Sequence, residues 1–544
     1  MTASHRKRTR RQRVRLEAFL ELEDSHPYGC LPGGNRFCSF EDATTSGTTE
    51  TALLPDGLWQ AVLAFCDAKS LGRVVQSSRY LYVAGHQPEL WRDLVLRQCD
   101  QEDRVIDRTS YPNGDRIKSW KDTYIALFIK HAENLQLHKP MAIPGIYSDE
   151  YYRTHRCRSF AIPDAWLDPK VTAVDDTVPS VSIDSMRPNA FLQEYEATNY
   201  PVVIKDAVKG TRAFQHWSDP LYLCQSNPTG RSFRTTSGAA PLSVQFTLES
   251  YQNYSQFEYL EESPLYLFDR TALDNPQWQQ DFFPEFYQKC PWWDPAAEYG
   301  HDLLQHLGAA ERPDHTWLIM GPKRSGSVFH IDPNATHAWN ACLQGRKRWI
   351  FYPPGCPPPG VFPSDDGDEV TLPLSVGEWL LQYWTEHSER CRTSKKDEQP
   401  LECTAFPGDV VFVPHGWWHM VINLDDTNCA ITHNYVSPSN LGNVLKFFVD
   451  KQDQVSGCRD RAESIKPEHL HDAFVQALSK AEPKYLQRAQ EQKGWTCKAW
   501  GDPTTAVVTP PSSANQESSS FHSTCGTSVM AKAEKTSSFS FSFL

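Results

Sequence analysis

The sequence predicts an α+β protein in which a mainly β core is set between helical segments. Three observations carry this expectation. From about Val178 to Val436, short apolar or alternating runs such as Pro201-Val202-Val203-Ile204, Pro264-Leu265-Tyr266-Leu267-Phe268 and Trp317-Leu318-Ile319-Met320 recur between Gly, Pro, Asn and Asp. Many short strands at such spacing belong to a sandwich or barrel. Between Leu53 and Leu96 the apolar residues fall instead at helical spacing, as do Leu58, Val62 and Phe65. Beyond Asn440 helical spacing returns, through Val444 to Val449 and His471 to Ala489, with Pro467 and Pro483 as starts or breaks.

The 544 residues suffice for about two to four domains. No stretch approaches the roughly 20 uncharged apolar residues that would cross a bilayer, so no membrane span is expected. The chain starts Met1-Thr2-Ala3-Ser4-His5 and runs directly into the basic stretch Arg6 to Arg15 without an apolar segment behind it, so no secretory signal is expected. All 15 cysteines, an odd number scattered from Cys30 to Cys525 without a C-x-x-C pair, read as reduced thiols of an intracellular protein. A formal net charge of -13 argues against bulk binding to nucleic acid, leaving the basic arm as the one candidate for it. That arm reads as a nuclear address or as a solvated tail, placing the protein in the nucleus or the cytoplasm.

Residues 1–52 read as a disordered basic arm, 53–98 as a helical domain, 99–177 as a mixed helical connector with a helix around Trp120 to Leu135, and 178–438 as the β domain. Residues 439–497 read as C-terminal helices that flank the β domain or pair two copies as a homodimer, and 498–544 as a disordered Ser/Thr-rich tail. Within 53–98, Leu54-Pro55 precedes a first helix, a second runs through Val74 and Val75, and Leu90-Trp91 closes the set. This order resembles the F-box, which implies a module docking on the Skp adaptor subunit of cullin ubiquitin ligases. A plain packing bundle uses Leu and Trp at the same spacing and stands as the alternative.

The chemistry lies in the β domain. On a strand, residues i and i+2 share a face, so His330 and Asp332 place an imidazole and a carboxylate side by side. His419, far along the chain, is expected on a strand on the opposite side of the barrel. Two histidines and one carboxylate leave open positions on a metal that prefers six ligands, which is the ligand set of non-haem Fe(II) oxygenases. A lone histidine is more often a satisfied core residue. Here, however, the turn Gly321 to Gly326 leads into the first pair, and the strand Phe406 to Pro414 leads to the turn before His419.

In Gln344-Gly345-Arg346-Lys347-Arg348-Trp349-Ile350-Phe351-Tyr352, Lys347 shares a face with Trp349 and Phe351, while Arg346 and Arg348 face the other way. A cation aimed into an apolar interior calls for an anion, either a protein carboxylate or a carboxylate cosubstrate.

The motifs R-S-G-x-x-x-H-I-D-P, A-W-N-A, Q-G-x-K-R-W and G-W-W-H followed by I-T-x-N resemble those of the JmjC oxygenases. They most resemble the branch of the bifunctional arginine demethylase and lysyl hydroxylase once called the phosphatidylserine receptor. The likeness spans roughly Val178 to Pro438 and implies a double-stranded β-helix of the cupin type. It also implies Fe(II) held by His330, Asp332 and His419, with 2-oxoglutarate and O2 as cosubstrates. Lys347 would hold the distal carboxylate of 2-oxoglutarate, helped by Thr432 and Asn340. Ser327 stands where the branch has Thr and keeps the hydroxyl donor. Tyr266 and Asn434 match pocket positions on the substrate side, and Trp417 and Trp418 read as packing residues.

By the same resemblance the reaction is hydroxylation, or N-demethylation, of protein lysine or arginine side chains, a histone or an RNA-processing protein being a candidate substrate. Two other readings are a non-catalytic F-box substrate receptor and a cupin using another metal. The intact ligand set speaks against the first, and Lys347 against the second.

Overall fold

The structure, a computed structural model, describes residues 26–33, 54–102, 104, 119–129, 140–159, 167, 176–227, 231–237, 240–255, 263–297, 302–309, 311–365, 367, 369–458 and 465–491. The basic run at 6–15 and the tail at 498–544 lie outside these residues.

The strands, in chain order, are β1 (Ser180–Ser182), β2 (Val202–Lys205), β3 (Ser232–Ser237), β4 (Ala240–Thr247), β5 (Tyr266–Asp269), β6 (Thr316–Gly321), β7 (Gly326–His330), β8 (His337–Gln344), β9 (Lys347–Tyr352), β10 (Phe362–Pro363), β11 (Val370–Thr371), β12 (Leu401–Ala405), β13 (Val410–Val413), β14 (Trp418–Asn423) and β15 (Asn428–Tyr435). A nine-stranded sheet runs β1-β2-β13-β8-β15-β6-β5-β3-β4, and a four-stranded sheet runs β12-β9-β14-β7.

Period-two alternation sends each strand's side chains to two different cores. Ala338, Cys342, Val411 and Val413 of the large sheet meet Trp349, Phe351, Cys403 and Val421 of the small one in the space between them. The alternate residues Trp339, Ala341, Phe412 and Ile431 pack behind the large sheet against Trp278, Phe282, Phe286 and Trp293. Behind the small sheet, Ile350, Tyr352, Trp418 and Met420 pack on Trp379 and Trp384 of the helix Val376–Thr393. That helix is pinned by polar bonds as well. Tyr352 Oη meets His387 Nδ1 at 2.7 Å, His387 Nε2 meets Glu402 Oε1 at 2.7 Å, and Arg348 donates to Glu402 Oε2 at 2.7 Å. His387, Cys391 and Glu402 have the proximity of a metal site, but the direct His387–Glu402 bond and the Arg348 ion pair leave no gap for an ion.

Arg348 thus faces away from Lys347, as the alternation predicts. Gly345 turns β8 into β9 at φ 71°, where a Cβ would sit 2.2 Å from Asn428 Oδ1 and 2.4 Å from the Thr427 carbonyl. Only glycine fits both constraints.

The helices Asp56–Ala64, Ala68–Val74, Arg79–Ala84 and Pro88–Glu102 form where the sequence places them. Asp67 and Ser78 cap the second and third, accepting from the backbone N–H of Ser70 and Leu81. Leu63, Leu71, Val83, Leu90, Trp91 and Leu94 form their core with Cys30, Ile143 and Tyr151. Residues 26–33, within the stretch read as a flexible arm, are therefore packed: Ile143 N–H donates to the Tyr28 carbonyl at 2.9 Å, and Cys30 is buried.

The helix Pro88–Glu102 runs through the expected boundary at 98. Its second half, Val95, Leu96 and Cys99, belongs to the core behind the large sheet, and Asp100 accepts a bond from Thr247 Oγ1 at 2.7 Å. The connector helix spans Trp120–Phe128; its expected continuation over 130–135 lies outside the described residues. The C-terminal helices Leu441–Asp450, Pro467–Ala481 and Pro483–Glu491 flank the barrel, closing a core with Leu303, Leu304, Leu307 and Val436. Among the described residues no helix is long and apolar enough to cross a membrane.

A π-helical turn, Phe191–Glu196, buries Glu196 against Tyr435, whose hydroxyl donates to the carboxylate at 2.9 Å. Burial pushes the Glu196 carboxyl up to about 7 against the lowering by its Ser437 and Tyr435 bonds. A carboxyl raised on folding contributes stability that is complete below its unfolded value of about 4.3 and is lost as pH climbs through the folded value. Glu196→Gln keeps an acceptor for Tyr435 and removes the titration. Between pH 5 and 8 its unfolding free energy is expected to fall by up to about 3 kcal/mol less than that of the parent, measured by denaturant melts across pH.

Candidate active site

The small sheet delivers the metal-binding groups on its inner face. His330 ends β7 and His419 lies near the start of β14; they are a direct cross-strand pair with ring centroids 4.2 Å apart. The expectation that His419 stands on the opposite side of the barrel is therefore corrected: β14 is the hydrogen-bonded neighbour of β7. Asp332 lies just past the end of β7, in extended conformation before a 3₁₀ turn, with Oδ1 3.9 Å from His419 Nε2. One donor atom from each of the three lies within 4.8 Å of the others.

Local bonds set the imidazoles for this role. His330 Nδ1 meets the Val328 carbonyl at 2.8 Å and His419 Nδ1 meets the Trp417 carbonyl at 3.1 Å. A carbonyl only accepts, so each Nδ1 carries the proton and each Nε2 presents its lone pair. Burial holds both imidazoles down at about 4, so they are neutral and able to ligate at physiological pH. Burial pushes the Asp332 carboxyl up to about 6, offset by the neighbouring His330 imidazole and Asn434 amide. Asp332 Oδ2 is buried without a hydrogen-bond partner. Such an oxygen costs about 1–3 kcal/mol unless something compensates it, and a divalent cation between the three donors does so. The residues fit a facial iron centre.

Ser327 reaches the same wall through an irregularity. The pairing shifts between His419↔His330 and Val421↔Ser327, so β7 carries one extra residue there. Without it, positions 327 and 330 would face opposite ways; the bulge turns both inward. Among the described residues no side-chain hydrogen bond joins Ser327 to the rest of the site.

Lys347 opens β9 and is wholly buried. Its Nζ donates to Asn423 Oδ1 at 2.8 Å and to Tyr266 Oη at 3.3 Å, and burial brings its ammonium down to about 8. Of the two anions the sequence allows for, no protein carboxylate bonds to Lys347 among the described residues. Its close partners are neutral, which suits the free carboxylate of a cosubstrate.

The large sheet supplies the facing wall. Asn340 and Thr432 are cross-strand partners, with Trp317 opposite Thr432 on the next strand. Thr432 donates to the Trp339 carbonyl at 3.1 Å, and Asn340 Oδ1 is buried without a partner. Tyr266 thus touches Lys347, and Asn434, which also donates to Thr336 Oγ1 at 2.9 Å, touches Asp332. Trp417 and Trp418 are packing residues: Trp417 donates to the Asn199 carbonyl, and Trp418 lies in the core behind the small sheet.

Sequence reasoning missed Asn423, Ser325 and Gly321. Asn423 donates to Ser325 Oγ at 2.8 Å. A Cβ on Gly321 would lie 2.1 Å from Ser325 Oγ, 2.8 Å from the Tyr266 ring and 2.9 Å from Asn423 Nδ2. The signal for Asn423 was present in its spacing, four residues past His419 on one strand and so on the same face.

Comparison with known proteins accords with this geometry. A cupin-like domain is matched over residues 188–440. The arginine-specific demethylase JMJ22 of Arabidopsis thaliana is 34% identical over 481 residues, covering 86% of this chain and 84% of that protein. The chain belongs to the JmjC oxygenases. Also similar are the bifunctional arginine demethylase and lysyl-hydroxylase psr-1 of Caenorhabditis briggsae, 30% identical over 49% of this chain and 63% of its own, and the 2-oxoglutarate and iron-dependent oxygenase JMJD4 of Homo sapiens, 34% identical over 29% and 36%. As a JmjC oxygenase the chain uses iron and 2-oxoglutarate, the pair for which the triad and Lys347 are suited.

His330→Ala and Asp332→Ala are each expected to abolish conversion of 2-oxoglutarate to succinate and to remove one bound metal per chain, read by metal analysis after dialysis. Gly321→Ala is expected to cost about 1–3 kcal/mol through overpacking, read as a lowered denaturation midpoint.

Proposed function

We propose that this JmjC oxygenase oxidises a C–H bond on arginine or lysine side chains of proteins, with N-methylarginine as the first substrate. The observation that carries the reading is the buried Lys347 ammonium, bonded to neutral groups on the wall that also bears the intact His330, Asp332 and His419 set. The preference for arginine draws on JMJ22, the relative that the chain covers most fully among those named above.

When bound, iron(II) supplies the oxidative decarboxylation of 2-oxoglutarate that is coupled to oxidation of the substrate carbon. The chain's own groups do the rest. Lys347 and the Tyr266 phenol hold the distal carboxylate, and Asn340 and Thr432 form the wall across from them. Buried surroundings on both sheets keep water away from these charges and strengthen each contact. The Asn434 amide beside Asp332 favours the ionised carboxylate. An N-methyl carbon hydroxylated in this pocket leaves as formaldehyde, while a side-chain methylene keeps its hydroxyl.

Mass spectrometry of a peptide library treated with the purified protein, iron and 2-oxoglutarate is expected to show methyl loss from methylarginine peptides with matching succinate. Oxygen addition to lysine without methyl loss would replace the demethylase reading by a lysyl hydroxylase. Succinate release with no modified peptide would count against protein side chains as substrate.

The helical module supports a second role, docking on the Skp adaptor. Leu58 and Val62 are exposed on its first helix, Leu54 just before it and Phe65 just past its end, Phe65 88% exposed, while Leu63 turns inward. Exposed apolar side chains gathered on and beside one helix suit a partner better than water. Val62→Asp with Phe65→Asp is expected to abolish co-purification of the Skp adaptor with the full chain while succinate formation is kept; adaptor binding that survives both changes would refute the docking. The basic run at Arg6 to Arg15 supports a nuclear location, to be checked by imaging the full chain with and without it.

A further inference from the structure

We propose that Asn423 sets the charge of the cosubstrate pocket and so selects an oxo acid whose far end carries a full negative charge. This rests on the assignment of Lys347 as the carboxylate anchor. Asn423 is wholly buried and ends β14, where it is the direct cross-strand partner of Lys347 on β9.

Its amide orientation follows from the hydrogen bonds alone. Ser325 Oγ donates its single proton to the Pro322 carbonyl, so it must accept from Asn423 Nδ2, 2.8 Å away. Asn423 Oδ1 is thereby turned toward Lys347 Nζ, which it meets at 2.8 Å. The strand end is clamped by backbone bonds too, Asn423 N–H to the Ser325 carbonyl and Arg324 N–H to the Asn423 carbonyl, both 2.9 Å. The acceptor cannot swing away without breaking this set.

An aspartate has almost the same shape as asparagine, and beside a buried lysine it would be the usual partner. Here the position is neutral. The ammonium is held in place and solvated by an amide oxygen and a phenol, while its charge stays uncompensated until a carboxylate enters. A carboxylate at position 423 would neutralise the cation from inside the protein and add like-charge repulsion against the incoming one. Asn423 is thus a positioning and specificity-determining residue acting through Lys347.

The test measures binding of 2-oxoglutarate and of its uncharged-tail monoamide, 2-oxoglutaramate, to protein loaded with manganese(II), by calorimetric titration, alongside KM and kcat for each with iron. The parent is expected to bind 2-oxoglutarate at least tenfold more tightly than the monoamide. In Asn423→Asp the affinity for 2-oxoglutarate is expected to fall at least tenfold while that for the monoamide holds or rises, with the change seen in KM more than in kcat. Equal loss of both ligands in a folded Asn423→Asp would overturn the proposal, since it would mean a structural role only. Asn423→Leu removes the acceptor without adding charge and is expected to weaken both ligands and keep the preference; a folded Leu variant that loses the preference also overturns it. If instead Lys347→Ala binds 2-oxoglutarate as the parent does, the anchor assignment itself fails.

Discussion

The catalytic wall depends on the pairing of β7 with β14. One cross-strand pair brings His330 and His419 into ring contact, and the extra residue in β7 turns position 327 inward as well. The same short sheet continues into β9, so Lys347 and Asn423 stand a few residues farther along the same inner face. Iron ligands and cosubstrate anchor are therefore carried by one rigid four-stranded unit, and their spacing is set by strand register. A slip of one residue would send all of these side chains to the outer face, where Trp379 and Trp384 fill the space.

Burial gives this wall its chemistry. The forces that keep His330 and His419 neutral also strip water from Lys347 and leave Asp332 Oδ2 and Asn340 Oδ1 without partners. Each such unpaired group calls for an explanation, and two of them on facing walls of one cleft fit completion by a ligand. On the outer face of the same strands the balance is reversed: Arg348 closes on Glu402, which closes on His387, which closes on Tyr352. Alternate residues of β9 thus serve opposite ends, one set facing the cleft and the other tied into a chain of polar bonds.

Much of this was legible in the sequence because period-two alternation is a local rule. The H-x-D pair, the inward Lys347 with outward Arg346 and Arg348, and the Gly345 turn all follow from residues within a few positions of one another. The placement of His419 was not legible, because strand order depends on crossovers that no local pattern encodes. The bulge in β7 was equally hidden, since Ser327-Val328-Phe329 carries none of the glycine or proline cues by which irregular strands are recognised. Asn423 escaped notice because asparagine in an apolar strand reads as a turn residue until its partner across the sheet is known. The packed segment at 26–33 was obscured by the basic composition around it.

The helix Pro88–Glu102 has two owners. Its first half closes the helical module, and its second half is a wall of the core behind the large sheet, tied by Asp100 to Thr247. The two regions accordingly share a fold boundary that no cut at residue 98 respects, and excising the module would open the barrel's back. From the module's core this helix runs to the edge strand β4 of the sheet that carries Asn340 and Thr432. The module is therefore fastened to the barrel by a shared helix, as a bracket is to a wall, and not tethered to it by a loop.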